Sequence, residues 1–295
     1  MTAAGADLAR LGVGLAAVGR PAYINTGSAA ALPSDRSVPA LRAQTAAVLD
    51  AAWAAGLRWV DVARSYGRAE EFLHDWLGTG EHPGLTVSSK WGYAYVGGWR
   101  RDAAVHEAKE HSLARFTAQL DETRALLAVD AYLVHSLTPD SPLLTDSPLQ
   151  HALGELRDTG VRVGFSTSGP HQAETVERGL ALAVDGVRLF DVVQSTWNAW
   201  EQSAGPALAA AHEDGVHVVV KEALANGRLV AELGDAAALA AVLAQPWADT
   251  VLLGAAGPEQ LRSNLRCLDV TAPDVSGTAV DPGTYWSQRS ELAWV

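Results

Sequence analysis

The stretch GLRWVDVARSYGRAEEFL, residues 56–73, decides how the chain is read. WVDVA is short, apolar and β-branched apart from Asp61, the pattern of a buried strand. Tyr66 and a glycine follow, and then a helical pattern. A carboxylate on a buried strand is costly unless a cation pairs with it. Lys90, which ends the apolar run LTVSSK, is the candidate partner, and His135 ends a third such run, AYLVH. Three strands therefore deliver titratable side chains near their C-terminal ends, the edge at which parallel α/β folds build sites.

Outward from that centre the same pattern repeats. LGVGLAAVG (11–19) reads as a glycine-rich first strand and turn. VRVGFS (161–166), FDVVQSTW (190–197), HVVVKE (217–222) and TVLLGA (250–255) are further strand-like runs, and helical patterns separate them. Eight apolar strands alternating with helices, with no low-complexity linker, imply a parallel sheet closed into a (β/α)8 TIM barrel. The expectation is an α/β fold with one domain over 1–295. Within it, a long helix is expected over about 103–127 on the spacing of Leu113, Phe116, Leu120 and Leu127. An aromatic loop, WGYAYVGGW, follows Lys90, and a loop-like tail over 271–295 carries Tyr285, Trp286 and Trp294.

The totals narrow the function. The 295 residues carry 34 acidic against 22 basic side chains, net −12. That balance argues against nucleic acid or an anionic membrane as partner, because both require a basic footprint. No run approaches the ~20 apolar residues of a membrane span. One cysteine, Cys267, cannot form an intramolecular disulfide and fits a reducing compartment, so the cytoplasm is the expected location. LGVGLAAVG is not read as a signal peptide, since Asp7 precedes it and the run is short and glycine-rich. The charge is compatible with monomer or oligomer.

Several motif matches fail on context. GVGLAA fits a dinucleotide fingerprint, but no useful strand precedes it and GRPAYINTGS after it has loop chemistry. HEAKEH (106–111) has one residue too many for a zinc helix, and no metal site is expected. GFSTSG (164–169) has its second glycine one residue late for a nucleophile elbow.

Tyr66, Lys90 and Asp61 suit proton transfer at an oxygen. A phenol has a pKa near 10; an adjacent ammonium is expected to lower it, and a carboxylate holds that ammonium in place. His135 would orient a substrate oxygen. Carbonyl–alcohol interconversion fits this set, with a nicotinamide required to carry hydride.

The chain resembles the aldo-keto reductase superfamily over almost its full length. DVARSYG (61–67) matches the family's D-x-A-x-x-Y-G motif, SSK (88–90) its strand-end lysine and YLVH (132–135) its histidine. The resemblance implies Asp61, Tyr66, Lys90 and His135 as a catalytic tetrad, Tyr66 as general acid/base, and hydride transfer between NADPH and an aldehyde, ketone or sugar. It places the nicotinamide carboxamide at Ser166, Thr167 and Gln194, with threonine where the family has asparagine. It places Lys221 where the family stacks a tyrosine on the ring; Trp197 or another aromatic is a candidate substitute. Its adenosine-phosphate positions fall at Gly254, Ala255, Gln260 and Asn264, without the usual cations, so NADP(H) is favoured by resemblance and NAD(H) is also possible. Arg262 and Arg266 are nearby candidates for the phosphate. Trp91, Tyr93 and Trp286 are expected to wall the substrate pocket. Two alternatives stand beside this reading: an aldolase using Lys90 as a Schiff-base nucleophile, and a nicotinamide-binding regulatory module without turnover.

Overall fold

Residues 3–24 and 31–294 are described by a computed structural model; the end of the GRPAYINTGS loop, 25–28, lies outside them. Eight strands occupy the expected runs: β1 (Leu11–Gly14), β2 (Trp59–Asp61), β3 (Thr86–Trp91), β4 (Ala131–Leu137), β5 (Arg162–Thr167), β6 (Val192–Thr196), β7 (His217–Lys221) and β8 (Thr250–Leu253). Each pairs in parallel with the next, and β8 closes on β1 through Leu11 opposite Val251. The barrel expected from the alternation is the fold found.

Strand alternation sorts the side chains. Outward positions such as Val13, Val60, Phe165 and Val220 join the large core between strands and helices. Inward positions form a separate apolar layer of Trp59, Ala131, Leu133, Val192, Val219 and Leu252. Trp59 fills the barrel floor and stacks on His217 at 4.9 Å between ring centres. Gly12 leaves room for it, since a Cβ there would lie 3.0 Å from Trp59 Cβ.

Two residues further along each strand lies the next inward position. Trp59 leads to Asp61, Ser88 to Lys90, Leu133 to His135, Val192 to Gln194, Val219 to Lys221 and Leu252 to Gly254. The polar upper layer of the barrel is thus fixed by the period of the strands that form its apolar floor.

Two expectations are corrected outside the barrel. The helix expected over 103–127 is confined to Leu113–Arg124, where Ser112 caps it by accepting from Arg115 N at 3.1 Å. The preceding residues Glu107–Lys109 instead pair antiparallel with Tyr93–Tyr95. Glu, Ala and Lys favour helix locally, but pairing with the returning aromatic loop overrides that preference. The tail contains a helix, Pro282–Ser290, capped by Asp281 accepting from Thr284 N at 2.9 Å. Aspartate before proline is a start signal for a helix, and the surrounding glycine and proline content masks it. No helix among the described residues is long and apolar enough to cross a membrane.

Glu70, 2% exposed, lies beneath the barrel rim and accepts from Arg64 Nη1 (2.5 Å), Ser89 Oγ (2.5 Å) and Thr123 Oγ1 (3.0 Å). Removing the carboxylate leaves the buried Ser89 hydroxyl without this acceptor and Arg64 with Glu122 as its remaining ion-pair partner. Glu70→Ala is expected to cost about 3 kcal/mol, read from the midpoint of urea unfolding. A loss below about 1 kcal/mol would show that Arg64 is held by Glu122 alone.

Candidate active site

At the C-terminal end of the barrel, β2 and β3 bring Asp61 and Lys90 into a buried ion pair. The lysine also donates to the Val62 carbonyl at 3.0 Å and approaches the Tyr66 hydroxyl at 3.3 Å. Asp61 accepts from Ser88 Oγ (2.8 Å) and Gln194 Nε2 (3.0 Å) as well, so its buried charge is fully engaged. Ser88 in turn accepts from Trp59 Nε1 at 3.1 Å, which ties the ion pair to the barrel floor.

Tyr66 is positioned by two glycines. Gly67 has φ +64°, and a Cβ on it would meet Gly19 O at 2.5 Å; a Cβ on Gly19 would meet Tyr66 O at 2.3 Å. The two backbones pack directly and are joined by Arg68 N donating to Gly19 O at 2.8 Å. Glycine at both positions is what lets the loop after β2 carry the phenol over Lys90.

His135 lies at an irregularity of β4, where the register with β5 shifts between Val134 and Leu137 and Ser136 takes φ +55°. Such bulges re-aim side chains next to sites. The His135 ring meets Tyr66 edge-on at 5.6 Å, and its Nδ1 is 3.3 Å from Ser65 Oγ. Burial and the cations Lys90, Lys221 and Arg20 hold the imidazole well below its usual pKa, so it is neutral. Tyr66 reverses the sequence expectation. Burial, followed by the Asp61 carboxylate, pushes the phenol well above its ordinary value rather than below it. The resting phenol therefore keeps its proton firmly.

A cavity of about 610 Å³ opens above this group, lined by Asp61, Tyr66 and His135 at one end and by Gln260, Ser263 and Asn264 at the other. Gln194, Lys221 and Gly254 line it between, and Tyr93 borders the aromatic side. The remaining predicted positions do not reach it. Ser166 is fully buried and accepts from Ser136 N at 2.8 Å, and Thr167 is occupied by Gln172 and Ser195. Ala255 is buried behind Gly254. Trp91, one residue past inward-facing Lys90, points to the outer layer and packs on Phe116 at 5.0 Å. Trp286 packs against Tyr285 and under Arg289 on the buried side of the tail helix. Trp197 packs on Trp247 and is likewise no part of the cavity wall.

Several lining residues, Arg20, Glu107 and Arg289 among them, had no sequence signal. Arg20 is 1% exposed, pairs with Glu107 at 2.7 Å and lies 5.3 Å over the Tyr66 ring. Arg289 pairs with Glu222. Both pairs join segments far apart in sequence, so neither local pattern nor spacing reveals them. Trp294 covers Arg20 from the tail at 4.8 Å. Among the described residues no cluster suited to a metal ion occurs.

The profile described as the aldo/keto reductase family matches residues 27–236 of the chain. Solved structures share the fold. A protein described as an aldo-keto reductase from Pseudomonas aeruginosa is 24% identical, with 88% of each chain covered and a TM-score of 0.66. The holo form of an aldo-keto reductase from Bacillus halodurans is 18% identical, covering 96% of this chain and 93% of its own, with a TM-score of 0.64. A glycerol dehydrogenase from Gluconobacter oxydans is 17% identical, covering 96% and 90%, with a TM-score of 0.64. No curated protein matches the chain in sequence.

His111 supports the site from behind. Its Nε2 donates to the His135 carbonyl at 2.9 Å while Ser141 Oγ donates to its Nδ1 at 2.7 Å. Burial, reinforced by Lys109, lowers its pKa from 6.5 to about 4. Between those values the unfolded chain binds the proton and the folded chain does not. Stability is therefore full above about pH 6.5 and declines as pH falls toward 4. Urea midpoints measured from pH 7 to 4.5 are expected to fall, with a shallower fall in His111→Gln. An identical slope in that variant would contradict a neutral, buried His111.

Proposed function

The chain belongs to the aldo/keto reductase family, so it is read as an oxidoreductase acting on small carbonyl compounds; we propose that it interconverts a carbonyl and its alcohol at Tyr66 with a nicotinamide cofactor. The observation that carries the reading is the Asp61–Lys90 pair beneath the Tyr66 hydroxyl, at the inner end of the cavity.

The cavity volume lies in the range of cofactor sites, ~300–1,000 Å³. Gln194, Lys221, Gly254, Gln260 and Asn264 line it and would hold the cofactor; at Gly254 a Cβ would meet nothing within 4 Å, which leaves the wall open there. A nicotinamide supplies the hydride that protein side chains cannot. In the reducing direction Tyr66 donates its proton to the oxygen that develops negative charge, and the Lys90 ammonium stabilises the phenolate left behind. Neutral His135 orients that oxygen with a hydrogen bond and competes for no proton. In the oxidising direction Tyr66 must first be a phenolate. Its raised pKa makes that direction favour alkaline solution.

Two features support NAD(H) over NADP(H). Asp235 lines the far end of the cavity, and Asn264, with its amide turned to donate, lies 3.1 Å from Asp235 Oδ2. A carboxylate there accepts from a ribose hydroxyl and repels a 2′-phosphate. Neither Arg262 nor Arg266 lines the cavity; the Arg266 guanidinium is turned to Ser263 Oγ and stands 4.0 Å from Asp235.

The substrate end is walled by Tyr93, Trp294 and the Arg20–Glu107 pair. Aromatic faces beside fixed charges suit a sugar or polyol better than a purely apolar carbonyl. The tail after residue 281 contributes Arg289, Ser290, Leu292 and Trp294 to the same wall, which supports a role for it in substrate selection. The aldolase alternative is disfavoured because the Lys90 amine is held in an ion pair and donates to a carbonyl besides.

Tyr66→Phe is expected to lower kcat at least a hundredfold, with the cofactor Kd from tryptophan quenching within about threefold of wild type. Retention of a tenth of wild-type kcat would remove Tyr66 from its role. Alcohol oxidation by wild type is expected to accelerate from pH 7 to 9, while carbonyl reduction does not; equal profiles in both directions would contradict the raised phenol.

A further inference from the structure

Three cations around the catalytic end have a carboxylate of their own. Lys90 has Asp61, Arg20 has Glu107 and Arg289 has Glu222. Lys221 is the exception among the charged residues that line the cavity there. It ends β7, opposite Thr196 of β6, and no carboxylate of the described residues lies within ion-pair distance of its amine. Its nearest anions are committed elsewhere, Asp61 to Lys90, Ser88 and Gln194, and both Glu222 oxygens to the Nε–Nη2 edge of the Arg289 guanidinium.

We propose that Lys221 sets the redox balance of the bound nicotinamide, its ammonium disfavouring the oxidised, cationic ring relative to the neutral reduced ring. This rests on the nicotinamide reading above. Lys221 holds the position that the family resemblance gives to a ring-stacking aromatic, and Trp197, the candidate substitute, packs on Trp247 instead. An uncompensated cation in a partly enclosed cavity interacts with a ligand charge much more strongly than one in bulk water. The oxidised and reduced rings differ by one full charge at the end of the cofactor that must reach Tyr66. Tighter binding of the reduced form raises the potential of the bound couple and makes it the stronger oxidant.

The charged groups facing Lys221 are Asp61 on β2, Lys90 on β3, neutral His135 on β4, its neighbour Glu222, and Arg289 on the tail helix. Burial brings the Lys221 amine from 10.5 to about 8; Glu222 and Asp61 oppose that shift, and Arg289 and Lys90 reinforce it. The amine therefore loses charge as pH rises from 7 to 9.

The test is a set of dissociation constants for NADH and NAD⁺, and for NADPH and NADP⁺, measured by tryptophan quenching at pH 7 and 9. Wild type, Lys221→Met and Lys221→Arg are compared. In wild type the ratio of oxidised to reduced Kd is expected to fall as pH rises from 7 to 9. In Lys221→Met at pH 7 it is expected to be lower than wild type by about tenfold, or about 30 mV for a two-electron couple, and insensitive to pH. Lys221→Arg, which cannot discharge, is expected to keep the wild-type pH 7 ratio at both values. An unchanged ratio in Lys221→Met, with both forms bound, overturns the proposal and leaves the oxidoreductase reading intact. Failure of wild type to bind any of the four overturns that reading itself and the proposal with it.

Discussion

Everything at the upper end of this barrel depends on the ion pair between Asp61 and Lys90. Two charges withdrawn from water are stable only when geometry and additional hydrogen bonds replace the lost hydration. Ser88, Gln194 and the Val62 carbonyl provide that replacement, drawn from β3, β6 and the loop after β2. Requirements on three separate segments must be met together, so the pair also fixes their relative positions. Tyr66 inherits its place from this arrangement, resting at 3.3 Å from an ammonium that cannot move away.

The polar layer that includes this pair is a consequence of strand periodicity. Trp59, Leu133, Val192, Val219 and Leu252 of the floor are each followed, two positions later, by a residue lining the cavity, and this relation is legible in the chain alone. WVD, SSK, LVH and VVK each carry the inward floor position and the functional residue within three letters. The same period explains why two neighbouring residues, Trp91 and Thr167, do not reach the cavity. Trp91 follows Lys90 and Thr167 follows Ser166, so each lies on the face away from its inward neighbour, where helices and not ligands are the partners.

What the sequence does not disclose is the pairing of distant segments. Glu107 reads as part of a helix because its neighbours are helix formers, yet it sits in a hairpin and reaches Arg20, 87 residues away. Arg289 and Glu222 are separated by 67 residues. Side chains of this kind carry no periodic signature, and only the closed barrel brings their segments to one rim. The phenol's electrostatics escape the sequence for a related reason. Lys90 alone would lower the Tyr66 pKa, but the same enclosure that shields the site from water, together with the Asp61 charge, acts in the opposite direction and is larger.

These long-range pairs also explain the electrostatic character of the cavity. Arg20–Glu107 and Arg289–Glu222 are ion pairs that shape the walls and anchor the hairpin and tail. Asp61 neutralises Lys90 in the same way, leaving the ammonium able to respond to a phenolate at short range. Against that background Lys221 contributes an ammonium with no carboxylate of the described residues within ion-pair distance, because its nearest anions, Glu222 and Asp61, are paired with Arg289 and Lys90. Such an ammonium is placed to respond to a ligand whose charge changes. On the proposed nicotinamide reading, the ligand charge that would change is that of the ring, whose oxidised form is a cation and whose reduced form is neutral. On the proposed reading the proton and the hydride would be governed by different lysines, Lys90 acting on the phenol through contact and Lys221 on the ring through its field.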